Sequence, residues 1–148
     1  MKVLVQRVIS SSVEVNNEIV GSINKGLLLF VGFTSTDTTK EIDYMVDKII
    51  NLRIFDDENG VMNKSLLEVG GSILSVSQFT LYADASKGRR PSYVKALGGD
   101  KAIILYDEFN KKLKDTGITI ETGVFGAEMK VNIINDGPIT IMLEKEGQ

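Results

Sequence analysis

Histidine, cysteine and tryptophan are all absent from this 148-residue chain. Their absence excludes Ser-His-Asp and Cys-His triads, disulfide frameworks and the usual zinc ligand sets. Any bond cleavage must therefore rest on other chemistry. No hydrophobic run approaches the length of a membrane span, and a strand-like MKVLVQRV stands where a signal peptide would carry its apolar region. A cytoplasmic protein with no membrane partner is expected. Excess positive charge is missing too. With 17 basic and 20 acidic residues the net charge is −3, which argues against coating long nucleic acid, though not against gripping one RNA end. Only two prolines occur, and no repeat, linker or low-complexity tract. The length suits one domain over residues 1–148, able to bury about 68–70% of its unfolded surface without metal or disulfide.

What is present alternates between strand and helix patterns. Lys2 to Ile9 reads as a strand, and Ser12 to Val15 with Glu18 to Ile23 as a hairpin around Asn16 and Asn17. The apolar run Gly26 to Gly32 has the pattern of a strand covered on both faces. Thr38 and Glu41 form a capping box before an amphipathic helix over Thr39 to Asn51, and Lys64 to Gly71 reads as a loop. Asp100 is placed to cap a second helix with Ala102, Leu105, Tyr106, Phe109 and Leu113 on one face and Gly117 as its stop. Ile118 to Glu121 and Glu128 to Ile134 follow as strands, and Ile139 to Leu143 closes a hairpin across NDGP. This is a mixed α/β chain with more strand than two helices can cover, so another sheet layer or a second copy must bury the excess.

The stretch from Gly71 to Ala83 is the most unusual. Read as one strand, it puts Leu74, Val76, Gln78, Thr80 and Tyr82 on one face and Ile73, Ser75, Ser77, Phe79 and Leu81 on the other. Each face changes character along its length, as in a strand whose far end lines a cleft, or one whose polar groups bond to neighbouring backbone. Arg7 shares a face with Val3, Val5 and Ile9, which leaves it either snorkelling from a strand end or anchoring a carbonyl. Lys87, Arg89, Arg90 and Lys95 make the only dense basic cluster, a solvated loop on residue types alone. The acidic turn Asp56 to Gly60 lacks the ligand spacing of a calcium loop and reads as solvated.

SQFTLYA at Ser77 to Ala83 and NDGPIT at Asn135 to Thr140 together resemble the paired signature of the D-aminoacyl-tRNA deacylases. QRV, LRIF, VGG, KGRRPSY and TGVFGAEM follow the same family's order, so the resemblance spans nearly the whole chain; it departs at Leu97 to Ala102, where the family often has a proline. The resemblance implies a three-layer α/β/β domain with an extensive, partly barrel-like sheet and two main helices, working as a homodimer without metal or cofactor. It also implies hydrolysis of the ester of D-aminoacyl-tRNA, and of glycyl-tRNA, with L-aminoacyl-tRNA rejected.

Carried over by motif, Ser77, Gln78, Phe79 and Thr80 form the catalytic wall, with Ala102 beside it. Phe125, Gly126, Ala127 and Met129 receive the terminal adenine of the tRNA. Arg7 supports the site, and Lys87, Arg89 and Arg90 meet its phosphates. Gly137 and Pro138, joined by a cis bond, enter the partner subunit's pocket. The substrate's 2′-hydroxyl assists cleavage of its own ester while backbone N–H groups near Phe79 and Thr80 stabilise the oxyanion, with Thr80 as nucleophile the other version. Two further functions compete: a non-catalytic homo-oligomeric domain binding a nucleotide or metabolite, and a carboxylate-bound metal hydrolase built on the Asp56 to Glu58 turn.

Overall fold

The computed structural model describes residues 1–147. Its longest early element is β1 (Lys2–Val15), one continuous strand where two shorter ones are expected. The reason lies in which way its side chains face. Val3 and Val5 join one apolar core, whereas Val8 and Val13 join a second. The switch falls where the register of β1 against its neighbour slips, between Gln6 and Val8. A bend there lets one strand serve two cores.

After β1 the chain turns at Asn16 and Asn17, both at positive φ (51° and 64°), into β2 (Glu18–Ile23), then β3 (Gly26–Gly32). Alternate residues of β3 face opposite cores, Leu27, Leu29 and Val31 in one and Leu28 in the other, so the strand is covered on both sides as its apolar run predicts. Helix α1 (Thr39–Asn51) starts on the expected capping box: Glu41 Oε1 accepts from Thr38 N at 2.8 Å and Thr38 Oγ1 from Lys40 N at 3.2 Å. Ile42, Met45 and Ile49 are fully buried beneath it.

A small hairpin of β4 (Phe55–Asp56) and β5 (Met62–Lys64) encloses the acidic turn. There the Asp57 carboxylate accepts from Asn59 N and Val61 N. The stretch after it is not simply loop. A one-turn helix, α2 (Leu66–Val69), has its own capping box from Ser65 and Glu68 and ends on Gly70 at φ 66°.

Strand β6 (Ser72–Ser77) stops six residues short of the Gly71 to Ala83 expectation, and a 3-10 turn, Phe79–Tyr82, takes over. Helix α3 (Gly99–Asp115) follows, then β7 (Ile120–Thr122) and β8 (Lys130–Glu144). Gly98 is the N-cap of α3 and Asp100 lies within its first turn, where an acid still favours the helix dipole but does not cap it.

The main sheet runs β2-β1-β3-β6-β7, with β8 along the other side of β1. The β3–β6 and β6–β7 pairs are parallel; β1 pairs antiparallel with β2, β3 and β8. The sheet curls until β2 nearly meets β7: a Cβ on Gly21 would lie 2.6 Å from the Thr122 carbonyl oxygen, so only glycine permits the approach. The result is a nearly closed, barrel-like sheet. Val8, Val13, Leu28, Leu74 and Val76 fill its interior, and α1 and α3 pack on its outer face over Val3, Val5, Leu29 and Ile73. No described helix is long and apolar enough to cross a membrane.

Leu28, fully buried inside the curl, tests whether that interior carries the fold. Leu28→Ala should lose about 2–5 kcal/mol in urea denaturation, whereas Val94→Ala, 90% exposed, should stay within about 0.5 kcal/mol.

Candidate active site

A cavity of about 640 Å³ opens where β3 and β6 end and α3 begins. Ser77, Gln78 and Phe79 form one wall, Ala102 and Leu97 another, and Phe125, Gly126, Ala127 and Met129 a third. Three separate stretches of sequence thus meet at one place, as their motifs predict. No lysine, arginine, aspartate or glutamate lines it. The lining is mostly apolar, with the Ser77 hydroxyl, the Gln78 amide and Tyr93 as its polar side chains.

The change from strand to 3-10 turn decides what the Ser77 to Phe79 wall offers. Gln78 N donates to Val31 O at 2.7 Å, the last tie to the sheet, and then the chain coils. The first N–H groups of any helical turn lack partners within it, and Gln78 supplies no side-chain cap. Phe79 N and Thr80 N therefore have no backbone partner among the described residues, and Phe79 borders the cavity. The same coiling moves the Thr80 side chain off the wall. It is exposed, does not line the cavity, and accepts a hydrogen bond from the Gln78 amide. Among the described residues no lysine or carboxylate hydrogen-bonds to it.

The rim is braced. Tyr93 packs edge-on against Phe79 with centroids 5.2 Å apart. Leu97 N donates to Phe33 O at 3.0 Å, and Asp84 and Ser92 exchange two backbone hydrogen bonds of 2.8 Å across the base of the basic loop. The Ser86 hydroxyl and amide hold the Asp84 carboxyl below its usual range. Lys87, Arg89 and Arg90 are exposed on this loop and, among the described residues, make no ion pair, while Lys95 lies 4.0 Å from Asp84.

NDGP does not form the expected hairpin. It is a bulge inside the single strand β8: the ladder pairs Gln6 with Thr140 and Val8 with Asn135, leaving Asp136 to Ile139 looped out opposite Arg7. Turn-forming residues mark a reversal only when two strands pair across them; here both halves pair with β1 instead. Arg7, 7% exposed, fills the gap. Its Nε donates to Asp136 O at 3.1 Å and its Nη1 to Ile54 O at 2.7 Å, with the Asp136 and Asp56 carboxylates at 3.3 and 3.5 Å. The arginine is a carbonyl anchor. Asn135 closes the bulge, its side chain accepting from Ile139 N at 2.8 Å and donating to Ile139 O at 3.0 Å. Gly137 has φ 136° and a Cβ there would sit 2.7 Å from Ile139 Cγ1, so the position demands glycine. The Gly137–Pro138 bond is cis, and both residues are exposed. They do not line this chain's own cavity.

The family model described as D-Tyr-tRNA(Tyr) deacylase matches residues 4–144. The chain belongs to this family. The D-aminoacyl-tRNA deacylase of Listeria monocytogenes serotype 4a (strain HCC23) is 60% identical over 146 residues, covering 99% of this chain and 97% of that protein. That of Clostridium botulinum (strain Okra / Type B1) is 56% identical, over 99% of this chain and 98% of its own. Among solved structures, the c-Myc DNA Unwinding Element Binding Protein superposes with a TM-score of 0.94 at 42% identity, covering 99% of this chain and 100% of that one. A probable eukaryotic D-amino acid tRNA deacylase superposes at 0.84 with 20% identity, over 96% and 97% of the two chains, a likeness of fold.

Within this deacylase chain, sequence reasoning missed the supports. Tyr93, Phe33 and Leu97 on the cavity wall, and Asn135 in the bulge, carry no catalytic signal of their own. Asn135 was findable from its place in the NDGP motif, since asparagine readily bonds to nearby backbone. If Arg7 closes the bulge, Arg7→Ala should cost at least about 2 kcal/mol in urea denaturation, because it strands two carbonyls. A cost near zero would show that the guanidinium is incidental.

Proposed function

We propose that this chain hydrolyses the ester of D-aminoacyl-tRNA, releasing the free D-amino acid and reusable tRNA, and that glycine is accepted as well. One observation carries the reading: a cavity of about 640 Å³ without any lysine, arginine, aspartate or glutamate in its lining borders the 3-10 turn at Phe79 and Thr80. Such a site has donors for a developing oxyanion but no general base. Help for the attacking water must then come from the substrate, and the 2′-hydroxyl beside the ester is suitably placed by its own covalent structure. In this mechanism the 2′-hydroxyl orients the water that adds to the ester carbonyl, and Phe79 N and Thr80 N stabilise the negative charge on the carbonyl oxygen. Collapse of the adduct breaks the bond to the 3′-oxygen, which takes the water's proton as the D-amino acid leaves. Phe125 and Met129 receive the adenine, a flat ring against an aromatic and a polarizable thioether.

Chirality is read by the partner. Strand β8 pairs only with β1, so its other edge is open along much of its 15 residues, and Ile133 and Ile134 are 40% and 56% exposed on it. An open edge of that length with apolar side chains suits pairing with a second copy. A homodimer formed there would carry the exposed Gly137–Pro138 bulge into the neighbouring cavity. Main-chain atoms there leave no room for an L side chain and spare a D residue or glycine. The basic loop at Lys87, Arg89 and Arg90 then meets phosphates of the acceptor end, and the work belongs in the cytoplasm, where tRNA is charged.

D-tyrosyl-tRNA should be deacylated and L-tyrosyl-tRNA spared, with no effect of a chelator; failure on both defeats the reading. Thr80→Ala should keep most activity while a tRNA ending in 2′-deoxyadenosine becomes a poor substrate. The opposite pair of results makes Thr80 the nucleophile.

Replacing Arg89 and Arg90 by alanine should weaken tRNA binding and flatten its dependence on salt, by about 0.7–0.9 in log-log slope for each phosphate that is no longer neutralised. An unchanged slope returns the loop to a solvated surface.

A further inference from the structure

Phe125 lines the main cavity and also a separate slot of about 510 Å³ between α3 and residues 122–125. We propose that this slot receives the nucleotide preceding the terminal adenosine, a cytidine read by Asn110, with Lys114 meeting the phosphate on its 5′ side. The proposal rests on the reading that the adenosine itself lies against Phe125 in the main cavity.

Asn110 carries the argument. It lines the slot and is only 8% exposed, yet its Oδ1 is buried with no hydrogen-bond partner. The neighbouring hydroxyl does not serve it: Tyr106, which also lines the slot, has a single hydroxyl proton and donates it to Ser75 O at 2.7 Å. Oδ1 is left as a free acceptor. A buried acceptor without a donor is costly, and a ligand N–H removes that cost.

Cytosine presents an exocyclic amine on the edge that would face it, whereas uracil presents a carbonyl oxygen and would repeat the unpaired acceptor. Three charged side chains of α3 line the slot, Asp107, Lys111 and Lys114; Lys111 is 3.2 Å from Asp115, whereas Lys114 makes no ion pair among the described residues and is the cation open to a phosphate. Phe125, tilted against Tyr106 with centroids 5.7 Å apart, is held as an aromatic partition between the cavity and the slot. Consecutive bases of a single strand splayed across one aromatic ring are a common way of gripping an RNA end.

The test is binding of small nucleotides to the full chain by calorimetry: AMP, the dinucleotides CpA and UpA, and 5′-phosphorylated pCpA. CpA should bind about tenfold or more tightly than AMP, the order expected for one stacked and hydrogen-bonded base, and UpA should gain much less. The cytidine gain should vanish in Asn110→Leu, and the further gain of pCpA over CpA should vanish in Lys114→Ala, both variants keeping the wild-type affinity for AMP. The comparison of CpA with UpA needs no variant, so a misfolded Asn110→Leu does not blunt it. AMP binding with no gain from either dinucleotide overturns this slot assignment and leaves the adenosine reading intact. Equal gains for CpA and UpA overturn Asn110 as the reader, and binding of no nucleotide at all overturns both readings.

Discussion

Arg7 faces a mismatch of its own making. One residue of β1 lies between the pairs Gln6–Thr140 and Val8–Asn135, and four residues of β8 lie opposite it. The ladder can close over that difference only if the four extra residues leave the sheet and something fills the space behind them. A buried guanidinium does so, because its fork of donors reaches two carbonyls from different elements, Asp136 O on the bulge and Ile54 O before β4. An apolar side chain of the same size would leave both carbonyls without partners. The same point in β1 is where its buried residues pass from the helix-side core to the barrel interior. Bend, bulge and sheet curl are therefore one event, and the exposed tip of the chain at Gly137–Pro138 follows from it.

The second dependence runs through the end of β6. Had the strand continued, Thr80 would sit on the same face as Val76 and its N–H would point along the sheet. Instead the chain coils at Gln78, so the Thr80 hydroxyl leaves the wall while the Ser77 hydroxyl and the Gln78 amide stay on it. This suits a cavity that holds no titratable base. In the proposed mechanism the protein contributes position and a preorganised oxyanion site, where loss of a single donor typically costs about 10²–10³ in rate. A backbone donor cannot be removed by a side-chain mutation, so such a site is insensitive to substitution at the residues whose types look most catalytic.

Much of the architecture was legible in the residues. The capping box at Thr38 and Glu41, the Asn16–Asn17 turn and the doubly apolar β3 are local features whose physics is complete within a few residues, and each appears as read. What was not legible depends on partners far away in sequence. Asn135 to Pro138 has turn chemistry, and only pairing of both flanks with β1 makes it a bulge. The Gly71 to Ala83 stretch has strand composition throughout, and only the end of its neighbour β3 at Gly32 takes away the ladder it would need beyond Ser77. Asp100 has the residue type of a cap, but Gly98 precedes it and takes the position. The missed α2 was a different failure, since Ser65 and Glu68 spell a capping box as plainly as Thr38 and Glu41 do. In the candidate site the motifs located the walls, while the braces at Tyr93, Asn135 and Tyr106 are ordinary residues made important by what they touch.

Net charge and RNA binding are reconciled by distance. At physiological salt a charge is felt over about 8 Å, so a ligand that occupies only the cavity and its margins responds to the groups there, not to the sum over the chain. The cavity lining is uncharged. On one flank stand Lys87, Arg89 and Arg90, and on the other, past Phe125, stands Lys114. Exposed acids also stand away from the cavity, at Asp43 and Asp47 on α1 and at Asp56 and Glu58 in the β4–β5 hairpin, three of them paired with Lys112, Arg7 and Lys64. A duplex laid along that side would meet little free positive charge, whereas a terminus placed in the cavity has Lys87, Arg89 and Arg90 on the neighbouring loop.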